Sequence, residues 1–170
     1  MNRKGFFGDA DVLCRPNLSL VVGVTNAGGN VVPYSSGGTS ARDCRLRYVL
    51  TLIQQDILEM YALTECHMCK AGAARVRRYP REHDHTNVVA KMAYTSKTMA
   101  SIEAESPTSA LARSLASGVI LLLAVEIAGA ILSEQDDISG RFLHVTFATA
   151  RGELHILVLY AVSSPQQAKT

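Results

Sequence analysis

The stretch "DILEMYALTECHM", residues 56–68, is an apolar run that ends abruptly in Thr64, Glu65, Cys66 and His67. Running into it from upstream, Leu46, Val49, Leu50, Ile53, Ile57 and Met60 recur at three- and four-residue spacing. That spacing predicts an amphipathic helix, with Thr39 or Ser40 as N-cap. The helix should stop near Asp56, because "ILEMYALT" then reads as a buried strand. Further upstream, "LSLVVGVT" (18–25) is a second continuous apolar run, closed by Asn26 and by the pair Gly28 and Gly29. A strand, a helix and a strand in this order favour a parallel β-α-β unit.

In such a unit the two strands end on the same sheet edge, where α/β proteins place their sites. Asn26 closes the first strand and Glu65 the second. An amide and a carboxylate meeting there can share a hard divalent cation such as Mg²⁺, which takes oxygen ligands and keeps several waters. The same letters also suit a turn residue and a solvated strand end.

Downstream, residues 70–117 are polar, small-residue-rich and without a clear period, so they read as a diverged insert. From Gly118 the strand pattern returns in "GVILLLAV", "AGAIL", "GRFLHVTFAT" and "GELHILVLYAV". Ala150-Arg151-Gly152 is a turn signal between the last two, which predicts a hairpin. The longest apolar run, Leu115–Leu132, carries Glu126 at its centre together with Gly118 and Gly129. It just reaches the ~18 residues a membrane span requires, and a pair of buried strands suits it better. The expected organisation is an N-terminal extension (1–17), a domain over 18–165 and a short tail (166–170).

Composition sets outer limits. The chain has 170 residues, 48 % hydrophobic and 19 % charged, with a net charge of +2. This is a globular balance, and the net charge alone selects no partner. The charge is concentrated in Arg75, Arg77, Arg78, Arg81 and Lys91, with His83 and His85 among them. Such a cluster can neutralise phosphates or simply form a solvated surface. Four scattered cysteines do not make a disulfide framework. The first residues lack the apolar core of a secretion signal, so nucleus or cytoplasm is the expected setting.

The order of these motifs resembles the N-terminal half of the endonuclease/exonuclease/phosphatase family, in particular the endonucleases of non-LTR retroelements. The likeness is carried by Asn26-x-x-Gly29, the Thr64-Glu65-Cys66 strand end, Gly118-Val119-Ile120-Leu121 and Tyr160-Ala161. It implies an α/β (α+β) fold: a partial β-sandwich with flanking helices. It also implies Mg²⁺-dependent phosphodiester hydrolysis, with DNA as partner and no membrane. By that resemblance Glu65 is the principal Mg²⁺ ligand, Asn26 orients metal or phosphate and Tyr160 addresses the scissile phosphate. His67, two residues beyond Glu65, would share its strand face.

Departures from the family are equally specific. Its "Gly-Asp-x-Asn" loop and terminal "Asp-His" pair, which follow the tyrosine strand, have no counterpart after Tyr160; "GDAD" (8–11) precedes the first strand. Val162 stands where the family has proline. Without the Asp-His pair a general base is missing, and proton transfer alone contributes roughly 10²–10⁴-fold to a rate. The chain is therefore expected to be inactive by itself and to lack the second sheet that would cover the first. Three other readings remain open. Cys66-x-x-Cys69 followed by His83 and His85 approaches a zinc layout, although its His-x-His spacing is short. The same cysteines suit a thiol pair. The basic cluster at 75–91 suits a non-catalytic module binding nucleic acid or an acidic protein.

Overall fold

The computed structural model describes residues 22–26, 41–55, 58–66, 68–96, 101 and 118–160. Its elements are β1 (Val22–Asn26), α1 (Ala41–Gln54), β2 (Met60–Thr64), α2 (Lys70–Glu82), β3 (Val88–Tyr94), β4 (Gly118–Ala124), a single turn α3 (Val125–Ala128), β5 (Ile131–Asp136), β6 (Phe142–Thr149) and β7 (Gly152–Leu159). The fold is mixed α+β, mostly strand, in two sheets. The first has the order β1-β2-β4-β3 and the second β5-β6-β7.

β1 and β2 are parallel, as the strand-helix-strand order predicts, with Asn26 opposite Thr64. β4 runs antiparallel to both β2 and β3. Alternate residues of a strand face opposite sides, and all seven of β4 are buried. Both faces of the sheet are therefore covered at its centre. Helix α1 covers one through Leu46, Val49, Leu50 and Ile53, and Leu143, Val145, Phe147 and Val158 of β6 and β7 belong to the same core on the other.

The sequence reading needs correcting in three places here. Helix α1 ends at Gln54, close to the expected stop near Asp56, but Met60 belongs to β2 rather than to the helical stripe. Residues 70–117 are not featureless, since α2 and β3 lie within them. The apolar stripe of α2 is Ala73, Val76, Tyr79 and Pro80, set between arginines. A proline so close to the helix end disturbs few hydrogen bonds, and its carbonyl receives the His85 amide at 2.7 Å. Finally, the sheet expected to be missing is present, because β5, β6 and β7 supply it. The β6–β7 hairpin forms as expected around Ala150-Arg151, with Gly152 at φ +122°. The anticipated caps Thr39 and Ser40, Ile57 and the flanks 1–17 and 166–170 lie outside the described residues.

Polar contacts join the sheets at their rims. Lys91 of β3 meets Glu134 of β5 at 2.7 Å. The β5–β6 turn docks on the end of β3, where the Ser96 amide donates to the Ile138 carbonyl at 3.3 Å. Gly140 makes that approach possible. It has φ +73°, and a Cβ there would stand 2.5 Å from the Tyr94 backbone.

Candidate functional site

The strand directions bring one set of ends together. The C-terminal ends of β1, β2 and β3 share an edge with the N-terminal end of β4, where the Cys66 amide donates to the Gly118 carbonyl at 2.9 Å. The second sheet adds the start of β6 and the end of β7. There the Tyr160 amide donates to the Arg141 carbonyl at 2.9 Å, extending the ladder by one residue.

Two of the residues singled out in the sequence meet at this rim. Glu65 and Tyr160, ninety-five positions apart, share a side-chain hydrogen bond. Partial burial, then the Glu65 carboxylate, hold the Tyr160 phenol above its ordinary pKa, against the opposing charge of Arg141. The phenol is therefore the donor and the carboxylate the acceptor. Asn26, the third, is placed by its backbone on the same edge, in register with Thr64.

Glu65 has φ +55°, a left-handed conformation that costs a non-glycine residue on the order of 1–3 kcal/mol. The chain leaves β2 there. Strand alternation thus ends at Thr64, and the expected sharing of a strand face by Glu65 and His67 does not apply; His67 itself is outside the described residues. Cys66 turns inward, fully buried, and its thiol donates to the Leu63 carbonyl at 3.5 Å.

Arg141 is the site residue that sequence reasoning missed. Its neighbourhood with Tyr160 follows from antiparallel pairing across the β6–β7 hairpin, and "GRF" carries no motif that announces it. The turn before it is fixed by Asp137, whose Oδ1 accepts the Arg141 amide at 2.8 Å and the Phe142 amide at 2.9 Å, while Ser139 donates to Oδ2. Burial pushes the Asp137 carboxyl up, but these hydrogen bonds outweigh it and hold the group below the usual carboxylate range.

Other chemistry suggested by the sequence is not assembled. The cysteines lie at the N-terminal end of α2 and His83 and His85 beyond its C-terminal end. Thirteen helical residues at ~1.5 Å each separate the two pairs by roughly 20 Å. A zinc ion with bonds of about 2.0–2.3 Å cannot span that gap. Among the described residues, no group of three or more His, Cys, Asp and Glu side chains converges. Burial also pushes the Cys66 thiol far up, so it stays protonated, and a reactive thiol pair is not formed. The basic cluster is divided. Arg77 and Arg78 are exposed on α2, with Arg77 over the Tyr94 ring at 5.7 Å and Arg78 near Glu82 at 3.9 Å. Lys91 is committed to Glu134.

No protein-family model matches the chain, and no curated protein matches it. Among the described residues, no helix is long and apolar enough to cross a membrane.

Proposed function

We propose that the Glu65–Tyr160 rim is a phosphate- and Mg²⁺-binding half-site of the endonuclease/exonuclease/phosphatase type, acting on DNA. The observation that carries this reading is the hydrogen bond between Glu65 and Tyr160, beside Arg141 and on the edge where β1 ends in Asn26. A carboxylate at a parallel-strand end, a phenol and a guanidinium form a coherent set for a phosphodiester. The guanidinium offers charge and paired donors to phosphate oxygens. The phenol offers one donor, already oriented, which can turn from the carboxylate to a phosphate.

Mg²⁺ fits this donor set in a limited sense. It is commonly held by one or two carboxylates plus substrate phosphates, with water completing the shell. Glu65 would supply the carboxylate, and Asn26, whose backbone ends β1 on the same edge, a second oxygen donor by the family resemblance. The ion would neutralise phosphate charge and lower the pKa of a bound water. What this chain's residues do is bind and orient: Arg141 attracts the anion, Tyr160 positions it and the strained Glu65 backbone fixes the carboxylate. Binding and orientation of a phosphodiester are the roles these residues can be tested for directly.

The test is DNA binding and plasmid nicking with and without Mg²⁺, alongside Glu65→Gln and Tyr160→Phe. The reading requires Mg²⁺ to tighten DNA binding and Glu65→Gln to remove that gain. Binding that is indifferent to Mg²⁺ and to Glu65, yet lost in Arg77→Ala/Arg78→Ala, would replace it with the non-catalytic module on α2. The exposure of those two arginines is what favours that second reading.

A further inference from the structure

The outer face of the second sheet carries a second cluster, remote in sequence from Glu65. Register places Thr146 opposite His155 and His144 opposite Leu157, so His144 and His155 are diagonal neighbours on one face. Their rings stack with centroids 5.2 Å apart and 23° between planes. His144 Nε2 and His155 Nδ1 stand 3.0 Å apart. The Thr146 hydroxyl lies 3.5 Å from the first nitrogen and 3.3 Å from the second. On the far side of the ring, His155 Nε2 faces the Glu153 carboxylate at 3.5 Å.

We infer that His144 and His155 form a bidentate site for a divalent transition-metal ion such as Zn²⁺, with Thr146 and water completing the shell. Three observations converge on this.

The first is spacing. Two nitrogens each about 2.0–2.1 Å from one tetrahedral zinc ion stand roughly 3.3–3.4 Å apart, and closer in an octahedral shell. The observed nitrogen pair needs to open only by tenths of an ångström.

The second is tautomer control. A carboxylate facing Nε2 keeps the proton there and leaves the Nδ1 lone pair pointing at His144. A carboxylate behind the ring in this way orients a histidine toward a metal ion. Without metal, His144 Nε2–H donates to that lone pair. With metal, His144 carries its proton on Nδ1 instead, exchanged through solvent, and both bare nitrogens face the ion.

The third is rigidity. Both histidines stand on paired strands beneath which Leu143, Val145 and Phe147 are fully buried, so the backbone beneath the pair is fixed. Imidazole pairs suit zinc, copper and nickel, whereas Mg²⁺ prefers oxygen. This site and the Glu65 rim therefore select different ions.

The experiment is calorimetric titration of the full chain with ZnCl₂ in a non-coordinating buffer. His144→Gln, His155→Gln, Glu153→Gln and Glu65→Gln are titrated in parallel. One zinc equivalent should bind the wild-type chain and Glu65→Gln alike. Either histidine substitution should weaken that event at least tenfold, and Glu153→Gln by about tenfold. A readout that needs no variant accompanies it: zinc should protect His144 and His155, but not His83, from carbethoxylation mapped by mass spectrometry. No saturable uptake by the folded chain would overturn the site. So would uptake unchanged in both histidine variants, or zinc that leaves His144 and His155 as reactive as before.

Discussion

Replacing Gly140 with alanine should loosen the joint between the two sheets and, through it, the candidate site. The residue has φ +73°, which costs an L residue about 1–2 kcal/mol. A Cβ would also stand 2.5 Å from the Tyr94 Cα and carbonyl carbon and 2.7 Å from the Thr95 nitrogen. These are backbone atoms of a paired strand and cannot swing aside, so the turn itself must move, at an overpacking cost of about 1–3 kcal/mol. The sum is about 2–5 kcal/mol, a large part of the stability of a domain this size. With a urea slope of about 2 kcal/mol/M, the midpoint should fall by roughly 1–2.5 M in a denaturation followed by circular dichroism. A second readout tests the link to the site. Arg141, the next residue, supplies the carbonyl that holds the Tyr160 amide at 2.9 Å. Moving the turn should therefore return the Tyr160 phenol toward its ordinary titration range, followed by tyrosinate absorbance against Tyr160→Phe. A loss below about 2 kcal/mol would match backbone strain alone and refute the docking of this turn on β3.

Further outcomes follow from the same geometry. Because the Tyr160 phenol is raised in the fold, its contribution to stability is present below about pH 10 and is lost as pH rises through the higher folded value. Urea midpoints taken from about pH 8 to 11, roughly the range around a phenol's pKa, should fall more steeply for the wild-type chain than for Tyr160→Phe. Asp137 has the opposite sign: its contribution is present above about pH 3.9 and fades as pH falls through the lowered folded value, so Asp137→Asn should flatten the acid limb of the same measurement. In a chain carrying Cys14→Ser and Cys44→Ser, the buried Cys66 and Cys69 should resist Ellman's reagent until denaturant is added. Gly23→Ala should destabilise β1, since its Cβ would lie 2.4 Å from the Tyr61 ring, and the loss should shrink in Gly23→Ala/Tyr61→Ala, read by thermal melting.

The sequence by itself determined the elements whose burial follows one period. The stripe Leu46, Val49, Leu50 and Ile53 specified α1, continuous apolar runs specified β2 and β4, and Ala150-Arg151-Gly152 specified the last hairpin. Parallel pairing of β1 with β2 was legible too, because a helix between two strands leaves little other choice. The stripe of α2 was missed although Ala73, Val76, Tyr79 and Pro80 recur at helical spacing, because Pro80 and the arginines between them read as a polar loop. The left-handed turn at Glu65 was not legible; it decides where that carboxylate goes and is set by packing of the neighbouring Cys66 against β4. The resemblance grouped Glu65 with Tyr160, but only the tertiary structure set the contact between them, placed Arg141 beside Tyr160 and brought His144 to His155. Those meetings depend on strand register and on how one sheet lies over another. Register and packing are long-range properties, fixed when many buried side chains find a common arrangement, and no local run of residues encodes them.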